Sequence, residues 1–182
     1  MAKKKNVVDE IKPTPGKRTN MSVLKRTRHK PQVGDVFAVC MAERVWLMGR
    51  VVEIGKMFGW PLDCIMMYVY ADQFSSLQQV VDSETPVPPR LLVGPFVSGH
   101  QFWSQGHFLH IRTVPLRDVD IVGPHLFLDG HLPAGTYKNI HRERVECGSL
   151  PYRPVPSGLG NTATTDVLLS EAIGLALRSD TQ

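Results

Sequence analysis

Histidine is the residue type in this 182-residue chain that is best suited to chemistry, because seven histidines could supply metal ligands. His100, His107 and His110 lie close together. Residues an odd number apart on a strand face opposite sides, so His107 and His110 are not expected to share an ion. A turn near Gly106 would separate His100 from His110, and no HExxH or HxH motif occurs. Further histidines are His125, His131 and His141. The spacing favours scattered loop histidines over a metal site.

Other catalytic patterns are equally sparse. The sequence has no GxSxG nucleophile motif and neither of the glycine-rich phosphate-binding motifs, GxxxxGK[ST] and GxGxxG. Asp118 and Asp120 share one face of a predicted strand and could act as a general acid–base pair. Two surface carboxylates beside a turn are, however, the commoner situation. We therefore predict a protein that is not an enzyme and that holds no cofactor or metal.

Cysteine usage indicates a reducing compartment. Cys40, Cys64 and Cys147 are odd in number, far apart and without CxxC spacing, which argues against both a disulfide framework and a zinc signature. The longest apolar run is far shorter than the roughly 20 residues of a membrane span. No apolar segment follows the N-terminal lysines, as a signal peptide would require. The expected location is the cytoplasm, with no membrane partner.

Charge is unevenly distributed along the chain. The net charge is +4, yet residues 1–30 carry ten Lys and Arg against two acidic residues, whereas residues 31–182 carry eleven against fifteen. The body is therefore acidic, which argues against nucleic-acid binding by the folded part. The first segment has little to bury, and this predicts a disordered basic tail over residues 1–28 that is detached from the core.

The stretch 31–55 predicts a β-hairpin that opens the folded domain. A turn at residues 34–35 precedes an apolar run over 36–41, and a second apolar run covers 45–54. Gly49, inside the second run, indicates a bulge or a close backbone approach.

Apolar spacing predicts the remaining elements. These are strands at 63–70 and 91–97, one internal helix at 73–82 capped by Asp72, two short strands within 101–113, and a closing helix capped at 165–166. The expected fold is α+β, with a strongly curved, mainly antiparallel sheet or partial barrel of roughly five to seven strands. It carries one short internal helix and a C-terminal helix, and Trp103 is favoured as a buried plug. The predicted domain is β-rich over 29–155, and 156–182 form a linker and the C-terminal helix.

Five features, taken in order along the chain, resemble a known family. The opening KPQVGDVFAV (residues 30–39) is followed by a strand containing Gly-Arg-Val (residues 49–51). A tyrosine-containing strand, a proline-rich break and a Trp-x-x-Gly segment (residues 103–106) come next. This order resembles the immunity protein 26 family of bacterial polymorphic toxin systems over roughly residues 29–155.

The resemblance implies a toxin–antitoxin role, in which the protein binds and neutralises a cognate toxin domain in the bacterial cytoplasm. Many toxin domains act on nucleic acids and are basic, so an acidic body would speed association. Candidate contacts lie in or beside predicted connectors, where rigid scaffolds present binding groups. They are Asp82, Glu84, Asp118 and Asp120. Two alternatives stay open: a metal-dependent hydrolase using the cluster of His100 to His110, and a small nucleic-acid-binding β-barrel with a basic arm.

Overall fold

The computed structural model describes residues 11–177. These residues form seven strands and three α-helices. The strands are β1 (Asp35–Cys40), β2 (Trp46–Gly55), β3 (Cys64–Phe74), β4 (Leu91–Ser98), β5 (Phe108–Thr113), β6 (Thr136–Lys138) and β7 (Arg144–Glu146). The helices are α1 (Leu77–Asp82), α2 (Gln101–Gln105) and α3 (Thr162–Ala172), and short 3-10 turns occur at Ala42–Arg44 and Asp118–Asp120.

The main sheet is antiparallel throughout and has five strands in the order β4-β3-β2-β1-β5. Strands β6 and β7 form a separate two-stranded sheet. The predicted mixed α+β fold with a mainly antiparallel sheet is confirmed. Strands β4 and β5 form the two edges and do not pair with each other, so the sheet is open. The strong curvature and the partial barrel are therefore not confirmed.

The predicted hairpin forms as β1 and β2, with Val36 opposite Arg50 and Cys40 opposite Trp46. Gly49 faces Phe37, and a Cβ added to Gly49 would lie 2.3 Å from the Phe37 ring. The pairing of β2 with β3 also shifts register between Leu47 and Gly49. The close approach and the irregularity predicted at Gly49 are both present.

An aromatic cluster fills the core beside the hairpin. Phe108 stacks on Phe37 and on Phe102, each with ring centroids 4.4 Å apart. Trp103 meets Phe37 edge-on at 5.6 Å and is fully buried, as predicted for a plug. Two short strands were expected around these residues, but the first of them is helix α2. Adjacent Phe102 and Trp103 are both buried, which a strand with one covered face does not allow, and Gly106 ends the helix with a φ of +89°.

Helix α1 is shorter than predicted and is not the only internal helix among residues 11–177. Strand β3 continues to Phe74, and the helix begins after Ser76, whose side chain accepts a hydrogen bond from the Gln79 amide. Asp72, the expected cap, instead accepts a hydrogen bond from Arg90 at 2.6 Å. Hydrophobic periodicity predicted the approximate position of the helix, but the N-cap residue Ser76 determines where the helix begins.

The prediction of a detached tail is wrong for residues 11–28, the part of that segment that the structure describes. Met21 is fully buried, and the Ser22 amide donates to the Cys40 carbonyl at 2.8 Å. The Leu24 amide likewise donates to the Gly106 carbonyl at 2.7 Å. These bonds satisfy the carbonyls of the last residue of β1 and of the glycine that ends α2, which composition does not reveal. Residues 1–10 lie outside the described range.

The C-terminal part lies on the same core. Tyr152 and Val155 are buried and the Gly94 amide donates to the Arg153 carbonyl at 2.7 Å, so the residues just before the predicted linker lie against the sheet. Helix α3 is confirmed, but it begins earlier than predicted and has Asn161 as its N-cap. Asp166, one of the two predicted cap residues, is buried inside the helix, and its carboxylate accepts a hydrogen bond from the Met21 amide at 2.6 Å. No helix within residues 11–177 has the length and apolar character needed to cross a membrane.

Candidate functional site

The most chemically equipped cluster is centred on Asp35, the first residue of β1. Its carboxylate is fully buried and accepts three hydrogen bonds. His29 Nε2 lies 2.6 Å from Oδ2, the Gln32 amide donates to the same oxygen at 2.9 Å, and Thr113 Oγ1 donates to Oδ1 at 2.7 Å. The carboxylate is therefore held in one orientation by the turn before β1 and by the end of β5.

His110, on β5, completes the cluster from the opposite side. Its Nε2 lies 3.3 Å from Asp35 Oδ1, and its ring stacks on His29 with centroids 4.2 Å apart. The His29 and His110 side chains are 22% and 30% exposed, so the cluster reaches solvent at its imidazole end.

An irregularity in the pairing of β1 with β5 brings these groups together. Asp35 pairs with Thr113, whereas Phe37 pairs with His110, so β5 contains one extra residue. His110 and Thr113 are three residues apart and would face opposite sides of a regular strand. With the extra residue, both reach Asp35.

The charge state of the cluster follows from these contacts. Burial opposes ionisation of Asp35, but hydrogen bonds from Thr113, Gln32 and His29 outweigh it and lower the pKa of the carboxyl. For His110, burial lowers the pKa and outweighs the attraction of the Asp35 charge. At neutral pH the cluster therefore combines an ionised carboxylate with a neutral His110, whose contact with Asp35 is not an ion pair.

A solvent-open pocket of about 430 Å³ adjoins the cluster on the side of His29. It is lined by residues 27–31 together with His100 and Ser104. His100 thus lies in the neighbourhood but does not join His29, Asp35 and His110, whose ligand atoms lie within 4.8 Å of one another. The group formed by His100, His107 and His110 is not assembled.

The other histidines have separate surroundings. His107 is buried, with Nδ1 3.2 Å from the Ser22 carbonyl, and burial lowers its pKa. His125 Nε2 lies 2.6 Å from Tyr68 Oη. His131 and His141 are exposed. Of the histidines weighed from the sequence, only His110 belongs to the cluster, and His29 and Asp35 were missed.

A buried ion pair joins Arg50, on β2, to Asp120, in the second 3-10 turn. Arg50 Nη1 is 3.2 Å from Asp120 Oδ2, and Nη2 donates to the carbonyls of Val114 and Pro115, each at 2.9 Å. Hydrogen bonds from Arg117 and the charge of Arg50 lower the pKa of Asp120 to about 2 against the opposing effect of burial.

The four predicted toxin contacts do not share one environment. Asp82, Glu84 and Asp118 are exposed, but Asp120 is buried, so only the first three present carboxylates at the surface, and toxin contact by the four stays a prediction. The pKa of Arg117 is raised first by its hydrogen bond to Asp120 and at longer range by the charge of Glu84. Glu84 therefore lies near the 117–120 segment, although 33 residues separate it from Arg117 in sequence.

The segments that carry the family resemblance occupy defined places in the fold. Residues 30–39 contain Asp35 and most of β1, residues 49–51 contain the buried Arg50, and residues 103–106 end helix α2. Membership of the immunity protein 26 family stays a prediction. No protein-family model matches the chain, and neither does any curated protein or solved structure.

Proposed function

We propose that this protein is an immunity-type protein that binds a cognate toxin domain in the bacterial cytoplasm and neutralises it by stoichiometric binding, without catalysis. The observation that carries the proposal is a surface, here called the acidic surface, formed by residues 82–84 and 117–121. It exposes the carboxylates of Asp82, Glu84 and Asp118.

Both segments of the acidic surface are tied to the sheet. Arg112, on β5, donates to the carbonyl of Val81 at 3.0 Å and also to the carbonyl of Ser83. Asp120 forms ion pairs with the buried Arg50 and with the exposed Arg117. Segments fixed in this way lose little conformational entropy when a partner binds, which favours affinity.

The acidic surface also carries apolar side chains. Val119 is 56% exposed and Ile121 is 38% exposed, on either side of the buried Asp120. Protein interfaces combine apolar contacts at the centre with charged groups at the rim, and the rim charges mainly set the rate of association. A basic toxin domain is the partner that this combination favours.

The alternative of a nucleic-acid-binding arm receives less support. The described part of the basic segment, residues 11–28, is hydrogen-bonded to the core through Ser22 and Leu24. Its basic residues therefore extend from an anchored backbone.

Charge reversal tests the proposal. The double variant Glu84→Lys/Asp118→Lys is expected to slow association with the cognate toxin domain, with a smaller effect on dissociation. The difference should shrink as salt is raised above about 0.1 M, where the screening length is about 10 Å. Asp63→Lys/Glu146→Lys, which reverses two exposed acids outside the acidic surface, is the matched control.

Binding kinetics on an immobilised, catalytically inactive toxin domain give the rates, and survival on co-expression with the active domain gives the biological result. If cells survive the toxin equally well with and without this protein, the immunity function is wrong. Equal association rates for the two double variants would instead reject the acidic surface as the contact.

A further inference from the structure

His29, Asp35 and His110 bring three ligand atoms together from three separate parts of the chain: the segment before the sheet, the start of β1, and β5. Asp35 Oδ2 lies 2.6 Å from Nε2 of His29, and Asp35 Oδ1 lies 3.3 Å from Nε2 of His110. In a zinc site with metal–ligand bonds of about 2.0–2.2 Å, neighbouring ligand atoms are roughly 3.3 Å apart. The separation of His110 Nε2 from Oδ1 already has this length, that of His29 Nε2 from Oδ2 is shorter, and the ligand atoms of the three residues lie within 4.8 Å of one another.

We propose that these three side chains form a binding site for one divalent transition-metal ion of the zinc type. Two imidazoles and one carboxylate form a nitrogen and oxygen donor set that suits Zn²⁺, and also Ni²⁺, Cu²⁺ or Fe²⁺, better than Ca²⁺ or Mg²⁺. Three protein ligands leave at least one coordination position for water. The partial exposure of the two imidazoles, 22% and 30%, gives the ion a route from solvent.

The surroundings of Asp35 are those of a prepared ligand. Thr113 Oγ1 and the Gln32 amide each hold one of its carboxylate oxygens, at 2.7 and 2.9 Å. Hydrogen bonds of this kind orient the carboxylates that bind a metal and tune the metal affinity. Because Asp35 is fully buried, its position is also set by packing, so little ordering remains to be done when an ion binds.

A purely structural role for the cluster explains only part of the geometry. A hydrogen bond from His29 to Asp35 would attach the N-terminal segment to the sheet, and Thr113 Oγ1 already donates a hydrogen bond to Asp35 Oδ1. His110 Nε2 also lies 3.3 Å from Thr113 Oγ1, but neither that contact nor the bonds to Asp35 require the His110 ring to stack on His29. The stacking brings the ligand atoms of the three residues within 4.8 Å of one another, close enough for one ion to contact all of them.

Metal titration of the chelator-treated full-length chain tests the site. Calorimetry with Zn²⁺ alone is expected to give one ion per chain. His29→Gln and His110→Gln should each weaken binding by at least about 10-fold, the lower end of the cost of altering even an outer-shell group. Glutamine keeps an N–H donor for Asp35 but is a poor zinc ligand, so the hydrogen bond can survive while the site is lost. The matched control His141→Gln alters an exposed histidine and should bind as the unaltered chain does.

Cobalt provides a second measurement that needs no variant. Co²⁺ bound by two imidazoles and a carboxylate in a four- or five-coordinate site gives intense visible absorption, which the hydrated ion lacks. Absence of zinc binding, equal binding by all four proteins, or a cobalt spectrum identical to that of the hydrated ion would each overturn the proposal. This test is independent of toxin binding, because it uses only the metal.

Discussion

Replacement of Asp120 by alanine should destabilise the fold strongly, although the residue is one of four acids that the sequence places on the surface. Its carboxylate is 2% exposed and lies 3.2 Å from Arg50, whose side chain is 1% exposed. Asp120→Ala leaves the Arg50 guanidinium buried without its counter-charge. The desolvation cost of that charge is then uncompensated.

Two independent arguments give the magnitude. Removing one partner of a buried ion pair typically costs about 3–5 kcal/mol, and here the hydrogen bonds from Arg50 to two carbonyls reduce the loss. The pKa of Asp120 falls from 3.8 to about 2, first through the Arg117 hydrogen bond and further through Arg50, which corresponds to roughly 2 kcal/mol at 1.36 kcal/mol per unit. We expect Asp120→Ala to lower the free energy of unfolding by about 2–4 kcal/mol.

The same linkage predicts a pH dependence. The pKa of Asp120 is lowered on folding, so its contribution is fully present above about pH 4 and is lost as the pH falls toward about 2. Over that range the unfolded chain takes up a proton before the folded chain does. The stability of Asp120→Ala should therefore fall less steeply between these pH values than that of the unaltered protein.

Urea unfolding followed by tryptophan fluorescence measures both effects, because Trp46 and Trp103 are buried. Asp118→Ala is the matched control, since it removes an exposed carboxylate two positions away and should cost less than about 0.5 kcal/mol. Equal unfolding free energies for the two alanine variants would refute the buried ion pair.

Two further substitutions test the packing. Met21→Ala should cost about 2–5 kcal/mol in urea unfolding, because it empties a fully buried site, whereas Lys17→Ala on the same segment should be close to neutral. A small effect of Met21→Ala would show that the N-terminal segment is detached after all. Gly49→Ala should cost at least about 1–3 kcal/mol, since its Cβ would lie 2.3 Å from the Phe37 ring, and Gly55→Ala, with nothing within 4 Å, is the control. Indistinguishable melting temperatures for the two glycine variants would contradict the packing of β2 on Phe37.

Helices and strands that consist of one continuous apolar run, or of an amphipathic run with a cap residue, could be predicted from the sequence. The hairpin of β1 and β2, strand β4 and helix α3 are local patterns, and the close approach at Gly49 follows from a glycine within an apolar strand. Helix α2 was missed because five residues are too few for helical periodicity to show. The packed N-terminal segment was missed because its attachment depends on backbone hydrogen bonds and one methionine, not on its charged composition.

The histidine cluster was beyond sequence reasoning for a geometric reason. Its members come from three segments, and the extra residue in β5 reverses the face that His110 would occupy on a regular strand. One signal was available: Asp35 is a carboxylate at the start of an apolar run and must find buried partners. The burial of Asp120 had no comparable signal, because Arg50 lies 70 residues away within another apolar run.

The hydrogen bond between the Met21 amide and the Asp166 carboxylate sets a lower limit on how early the native fold can form during synthesis. The two residues are separated by 145 positions, so the ribosome must translate nearly the whole chain before the Met21 amide finds its carboxylate. At about 5–20 residues per second, this interval lasts roughly 7–30 s. During that time the Met21 amide lacks its carboxylate partner and strand β4 lacks its contact with α3. Slowing elongation between the two residues should therefore lengthen the interval in which these groups of the nascent chain are exposed.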